Sequence, residues 1–188
     1  MDIERVLTKG SKIADESEIY ISKREVITLR LADKRIIEAK GNNDHALAIR
    51  LIKDKRIGSI VTSRFDNIEE HIDSIKILGD KHEEWQGLPS KQNIKPFNGY
   101  DPKFDDLDIN DYISIAKDIL DKAFENNIDN LSGSLHIVKE HIRLVNTNGL
   151  DLNDKGSYII ISINVDKDSA SGIGFNASRS LRLFKPEM

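Results

Sequence analysis

Five histidines are the residues with which this chain could hold a metal ion or move a proton. The stretch His136-Ile137-Val138-Lys139-Glu140-His141 has the composition of a zinc-hydrolase motif. That chemistry needs both imidazoles on one helix face, with a glutamate beside them to activate water. Here the residues alternate as in a strand, and strand positions five apart point to opposite faces. Two such histidines cannot share an ion without a bulge, so both are read as exposed strand residues. His82-Glu83 has no histidine at the needed spacing, and Gly87-Leu88-Pro89 breaks any helix that would carry one. His45 and His71 stand alone and are read as surface imidazoles with ordinary partners.

The other chemistry-bearing groups give the same answer. Asp105, Asp106, Asp108 and Asp111 suit a solvated helix start, whereas a glycosidase pair must converge from separate elements. No stretch supplies the alternating oxygens, central glycine and closing glutamate of a calcium loop. Gly172-Ile173-Gly174 lacks the strand-turn-helix setting of a phosphate loop. With no cysteine, thiolate zinc sites, disulfides and a cysteine nucleophile are excluded. Trp85, in an irregular stretch, is read as packing onto the domain rather than as an anchor for a partner. No catalytic, cofactor-binding or metal-ligating residue is assigned, so catalysis is expected to be supplied from elsewhere.

Elements that could position a binding surface are legible. Ile3, Val6, Leu7, Ile13 and Ala14 predict an amphipathic helix to about Asp15, weakened at Gly10. Period-2 stretches follow at Glu18–Lys23, Glu25–Leu31, Arg35–Lys40, Ala46–Ile52 and Ile57–Thr62. Turns are expected at Asp33-Lys34, Gly41-Asn42-Asn43-Asp44 and Asp54-Lys55. These make a five-stranded antiparallel meander. A helix from Ile68 to about Leu78, capped by Asp66 or Asn67, buries Ile68, Ile72, Ile75 and Leu78 and stops at Gly79.

From Asp80 to Asp106 periodicity is lost and three of the four prolines gather, Pro89, Pro96 and Pro102, as in a functional wrap or a linker. A helix over Ile109–Asn126 turns Tyr112, Ile115, Ala116, Ile119, Ala123 and Phe124 to one side. Strands Leu131–Glu140, His141–Asn146 and Ser157–Val165 follow, with a turn at Asn148-Gly149. Ser169–Ser180 is small and polar, with alternation only at Ile173 and Phe175. The fold class expected is α+β, an antiparallel sheet meander covered by helices on one face. The parts are 1–80, an extended wrapping segment 81–106, and 107–188, together one composite domain.

Composition narrows the setting. The 188 residues are 38% hydrophobic and 32% charged, with net charge −4. The acidic balance disfavours direct nucleic-acid binding. The dense basic run Lys53-Asp54-Lys55-Arg56 reads as a hairpin turn. The acidic start Met1-Asp2-Ile3-Glu4-Arg5 lacks a secretory layout, and no apolar run approaches the roughly 18 residues of a membrane helix. A cytoplasmic location without membrane contact is expected.

The ordered segments resemble the N-terminal part of the TldD/PmbA family, also called the modulator-of-DNA-gyrase family. The resemblance runs through Asp15-Glu16-Ser17-Glu18-Ile19-Tyr20-Ile21-Ser22, Arg35-Ile36-Ile37-Glu38, Asp44-His45-Ala46-Leu47-Ala48-Ile49-Arg50, and Arg56-Ile57-Gly58 with Thr62-Ser63. It continues in Gly87-Leu88-Pro89, Tyr100-Asp101-Pro102, Asn146-Thr147-Asn148-Gly149-Leu150 and Ala177-Ser178-Arg179-Ser180. Ala46 and Ala48 stand where the family often has glycine. The resemblance implies a two-lobed metallopeptidase subunit, working in pairs on flexible peptides. It implies a zinc motif, H-E-x-x-x-H, beyond these residues in TldD-like members and absent from PmbA-like ones. The chain is more similar to the PmbA side, so zinc is expected only in a fuller or partner subunit.

Two functions follow as expectations. One is a non-catalytic N-terminal domain that binds unfolded peptides at a sheet edge, with Arg143–Asn146 and Ser157–Val165 as receiving strands, or that supports assembly with a related subunit. The other is a free-standing binding or self-dimerising module with no role in proteolysis. A gyrase effector is disfavoured by the acidic charge.

Overall fold

The alternating stretches fuse into strands longer than their punctuation suggests. The structure, a computed structural model, describes residues 3–94, 97 and 99–185. Its elements are α1 (Ile3–Gly10), β1 (Glu16–Ala32), β2 (Arg35–Lys53), β3 (Arg56–Thr62), α2 (Ile68–Ser74), α3 (Ile109–Glu125), β4 (Asn130–Asn146), β5 (Asp151–Lys167) and β6 (Ala170–Ser178). Short 3-10 turns lie at Pro102–Phe104 and Leu181–Leu183. The strands form one antiparallel sheet in the order β3-β2-β1-β4-β5-β6. Helices cover it, so the α+β expectation holds. Met1-Asp2 and Pro96, read above from sequence, lie outside the described residues.

Three strands, not five, fill the first half. Glu18–Lys23 and Glu25–Leu31 belong to a single β1, and the expected turn at Gly41-Asn42-Asn43-Asp44 is extended backbone inside β2. Residues 38–45 are exposed. Their polarity reports solvent on the strand, not a change of direction, and the sheet ladder overrides local turn propensity. Leu131–Glu140 and His141–Asn146 likewise form one β4. The two-residue turn at Asp54-Lys55 is as expected. Both residues have positive φ, 50° and 61°, and Lys53 pairs with Arg56 across it. The basic run there is a hairpin turn.

The chain folds into two compact units. The first comprises Met1–Lys23, Asp44–Phe97 and His141–Asp154; the second comprises Arg24–Asn43, Asn98–Glu140 and Lys155–Met188. In the first, Val6 of α1 and Ile68 and Ile72 of α2 pack on Ile19, Leu47, Ile49 and Leu51. Lys9 Nζ joins the helices, 2.6 Å from Asp73 Oδ2 and 2.8 Å from the Glu69 carbonyl.

Both helices are shorter than predicted. α1 stops at Gly10, a buried residue where a Cβ would lie 2.8 Å from Ser17 Oγ. α2 stops at Ser74, and Ile75 is extended with ψ 116°. The reason is packing. As extended chain, Ile75 and Ile77 reach the core, while Leu78 is 70% exposed instead of buried. Gly58 permits this close approach, since a Cβ there would sit 2.8 Å from Ile75 Cγ2 and 2.9 Å from the Lys76 carbonyl. Asn67 occupies the cap position with φ 50° and makes no side-chain cap bond, contrary to the capping role expected there.

In the second unit α3 lays Tyr112, Ala116, Ile119 and Leu120 on Leu29, Leu31, Leu131, Leu135, Ile137, Ile159 and Ile161. Each such large side chain contributes roughly 1.5–3 kcal/mol when fully buried. The acidic cluster starts the helix. Asp108 accepts from the Asn110 and Asp111 N–H groups at 2.7 and 3.2 Å, and the Asp108 N–H donates back to Asp111 Oδ2 at 2.8 Å. These bonds hold the Asp108 carboxyl below its ordinary range. Among the described residues, no helix is long and apolar enough to cross a membrane.

Candidate functional site

Strand order decides where another chain could add. Arg143–Asn146 and Ser157–Val165, expected to receive a peptide, are interior: β4 lies between β1 and β5, and β5 between β4 and β6. Arg143 is also committed to Asp151, its Nε and Nη2 donating at 3.0 and 2.8 Å. The strand missed in sequence is β6, which pairs with β5 from Ile159↔Ser178 to Lys167↔Ala170. The edges of the sheet are β3 and β6.

β6 has inverted patterning. Ile159 and Ile161 are buried in the core, with Ile163 and Val165 packed against it. Their partners on β6 are Ser178, Asn176, Gly174 and Gly172. The core-side face of β6 is therefore small or polar. On the other face Ile173 and Phe175 are 81% and 68% exposed. Ala170–Ser178 contains no charged residue, although edge strands usually carry lysine, proline or inward charge against unwanted pairing.

Several motifs singled out in sequence meet as latches. In the first unit, Glu16 Oε1 accepts from the Leu88 N–H and Asn148 Nδ2, both at 2.8 Å, and Oε2 accepts from Trp85 Nε1 at 2.8 Å. Asn148 Nδ2 also donates to the Leu88 carbonyl, and Asn146 Nδ2 donates to the Pro89 carbonyl, each at 2.8 Å. Gly87 turns the loop with φ 98°, its Cβ position 3.2 Å from Glu16 Oε1. Thus Gly87-Leu88-Pro89 and Asn146–Leu150 close on the start of β1. Burial pushes the Glu16 carboxyl up, but its three donors pull it further down, to below the ordinary value.

In the second unit Asp101 plays the equivalent part. Its Oδ2 accepts from Ser180 Oγ at 2.8 Å and the Leu181 N–H at 3.0 Å, and its Oδ1 accepts from the Lys103 N–H at 3.1 Å. The Asp101 N–H donates to Ser157 Oγ at 2.9 Å. Tyr100-Asp101-Pro102 thereby fastens the chain that leaves β6. Burial opposes ionisation of Asp101, and these donors prevail, holding its carboxyl below the usual range.

The histidines do not gather. His136 contacts Thr28 Oγ1 at 3.2 Å and Ser134 Oγ at 3.0 Å, and His141 contacts Asn153 Oδ1. The His45 ring tilts against Phe65. His71 departs from the ordinary partnering expected of it, because its buried Nε2 has no hydrogen-bond partner among the described residues. Among those residues, no three His, Asp or Glu side chains converge on a point that could hold a metal ion.

This arrangement of sheet and latches has relatives. A profile for PmbA/TldA metallopeptidase domain 1 matches residues 17–78, and one for the PmbA/TldA metallopeptidase central domain matches residues 102–186. The chain belongs to the PmbA/TldD family. An uncharacterized protein of Methanocaldococcus jannaschii is 25% identical over 168 residues, covering 89% of this chain and 40% of that protein. A Bacteroides thetaiotaomicron structure described as a candidate modulator of DNA gyrase superposes with TM-score 0.81 at 18% identity, covering 98% of this chain and 46% of that one. TldE from Thermococcus kodakarensis gives TM-score 0.78 at 21% identity, covering 94% and 42%. This chain thus spans less than half the length of these PmbA/TldD relatives. Glu16 falls just before the first matched segment and the Gly87-Leu88-Pro89 loop between the two, whereas Asn146 and Asn148 of the same latch lie within the second.

Proposed function

We propose that this chain is a non-catalytic N-terminal part of a PmbA/TldD metallopeptidase subunit, closer to the PmbA side, that takes flexible peptides as an added strand along β6. The supporting observation is the charge-free edge from Ala170 to Ser178, with Ile173 and Phe175 exposed beside it. An extended peptide placed there satisfies backbone N–H and C=O groups on both chains, and the two apolar side chains grip alternate residues. Such contacts tolerate many sequences, which suits a protease acting on unfolded chains. Zinc and the catalytic groups would come from a fuller subunit or a related partner in the cytoplasm. Assembly with that partner is the second role of the domain.

Titration of the chain with an unstructured neutral peptide tests this. Amide shifts should concentrate on 170–178, and Phe175→Asp should weaken binding by about tenfold or more, the loss of one buried aromatic contact. Peptide methylated on its backbone nitrogens should not bind. Absence of any shift at millimolar peptide overturns the proposal. A free-standing dimerisation module would show instead a stable self-dimer in which the 170–178 amides stay protected and peptide does not compete.

A further inference from the structure

The small residues of β6 leave the core of the second unit open toward the sheet edge. Gly172 and Gly174 share a face with their partners Val165 and Ile163, which pack against the core. Ile163 leans over the edge strand, since a Cβ at Gly174 would lie 3.2 Å from its Cγ1. The same isoleucine lines a cavity of about 640 Å³. Ile115 and Ala123 of α3 flank this cavity, and Leu181 and Phe184, on the chain that leaves β6, complete its apolar lining. Asp118, Lys122 and Glu125 of α3 are exposed and give it a charged rim. Asn176 Nδ2 donates to the Lys185 carbonyl at 2.9 Å, which holds the departing chain against the core side of β6. That chain covers the Asn176 end, whereas Gly172 and Gly174 place no side chain over the other end.

A strand added along β6 lies about 4.8 Å outside it and turns successive side chains to opposite faces. Side chains on the outer face meet Ile173 and Phe175. Those on the core side meet glycine, so nothing on β6 separates them from Ile163 and the cavity. An apolar side chain of leucine size or larger bridges one strand spacing and meets Ile163 over Gly174; alanine stops short. Both faces of the added strand are thereby offered apolar surface at neighbouring positions. We infer that the β6 site selects peptides carrying two adjacent large apolar residues, one for each face of the sheet. The inference rests on strand addition at β6 and names the class of peptide that the edge takes. Runs of adjacent apolar residues are the strands that folded proteins bury on both faces, so they become available only when a chain unfolds.

The test titrates the full chain with two neutral peptides of one composition, the first with adjacent leucines and the second with them one residue apart. The adjacent pair should bind at least about tenfold tighter, because only it fills both faces in a single register. It should shift the methyl signals of Ile163 and Leu181 together with the 170–178 amides. Ala123→Phe fills the cavity from α3, and Phe184→Ala removes part of its apolar lining, so each should abolish the preference. Lys117→Gln, on the flank of α3 beside Ile36, should leave it unchanged. Equal affinity for the two peptides, with shifts confined to 170–178, overturns the selection and leaves strand addition standing. No shift with either peptide overturns both. Saturation of the Ile163 signal by N-acetyl-leucinamide, with no preference between the peptides, would make the cavity a small-molecule site and overturn its link to the edge.

Discussion

Phe104→Ala should destabilise the second unit by about 3–5 kcal/mol, the range for deleting a buried aromatic side chain. Phe104 is 0% exposed and packs in the same core as Leu135, Ile159 and Tyr112, each at most 1% exposed. It sits in a three-residue 3-10 turn held by its N–H bond to the Asp101 carbonyl and by the Tyr112 hydroxyl donating to its own carbonyl at 3.4 Å. That backbone cannot follow a shortened side chain inward, so a cavity is left. The Tyr112 hydroxyl, pushed up to about 12 by burial and by nearby carboxylates, would lose the packing that excludes water around it. Phe104→Leu keeps most of the volume and should cost less than about 1.5 kcal/mol. Hydrogen exchange separates the outcomes, because protection should fall over 104–137 in the alanine variant. A loss below about 1 kcal/mol would mean that the turn collapses into the space, contrary to the latch geometry.

How far such features were visible in the sequence depended on what each residue's signal reports. The face of α3 was legible because Tyr112, Ala116 and Ile119 recur at helical spacing and Asp108 caps the helix beside them. The turn at Asp54-Lys55 was legible because charged residues there separate two apolar alternations. Gly41–Asp44 misled, since solvent-exposed strand and turn share a composition. β6 was faint because its core-side positions are Gly172, Gly174, Asn176 and Ser178. Alternation analysis assumes that the apolar face points inward, and here the opposite holds. The receiving strands were misplaced for that reason: without β6, Ser157–Val165 looks like an edge.

Phe104 itself carried no periodic signal, being a single aromatic among prolines and aspartates. The latches were half legible. Gly87-Leu88-Pro89, Tyr100-Asp101-Pro102 and Asn146–Leu150 could be quoted as motifs. That Glu16 or Asp101 would serve as their common acceptor depends on contacts between residues 69 to 132 apart, which spacing cannot show.

Glu16→Ala should lower the stability of the first unit by roughly 3 kcal/mol, because it strands donors that charge-assisted bonds had satisfied. Trp85 Nε1, the Leu88 N–H and Asn148 Nδ2 all point at this carboxylate, and Leu88 is only 6% exposed. Glu16→Gln can keep one oxygen toward Leu88 and Asn148, but it turns an amide N–H toward the Trp85 indole. It should cost about 1 kcal/mol, one neutral hydrogen bond.

Acid distinguishes the bond network from simple packing. The folded Glu16 carboxyl lies below its ordinary value, so the folded state binds its proton less readily than the unfolded chain does. Its stabilisation is therefore complete above the usual glutamate value of about 4.3 and is lost as pH falls through the lower folded value. Wild type should lose stability over that window, and Glu16→Gln should lose less, its amide having no proton to gain. Trp85, the chain's one tryptophan, reports directly because its N–H is one of the three donors. Equal acid profiles for the two proteins would show that the loop is held by Leu88 and Pro89 packing instead, and that the carboxylate is incidental to it.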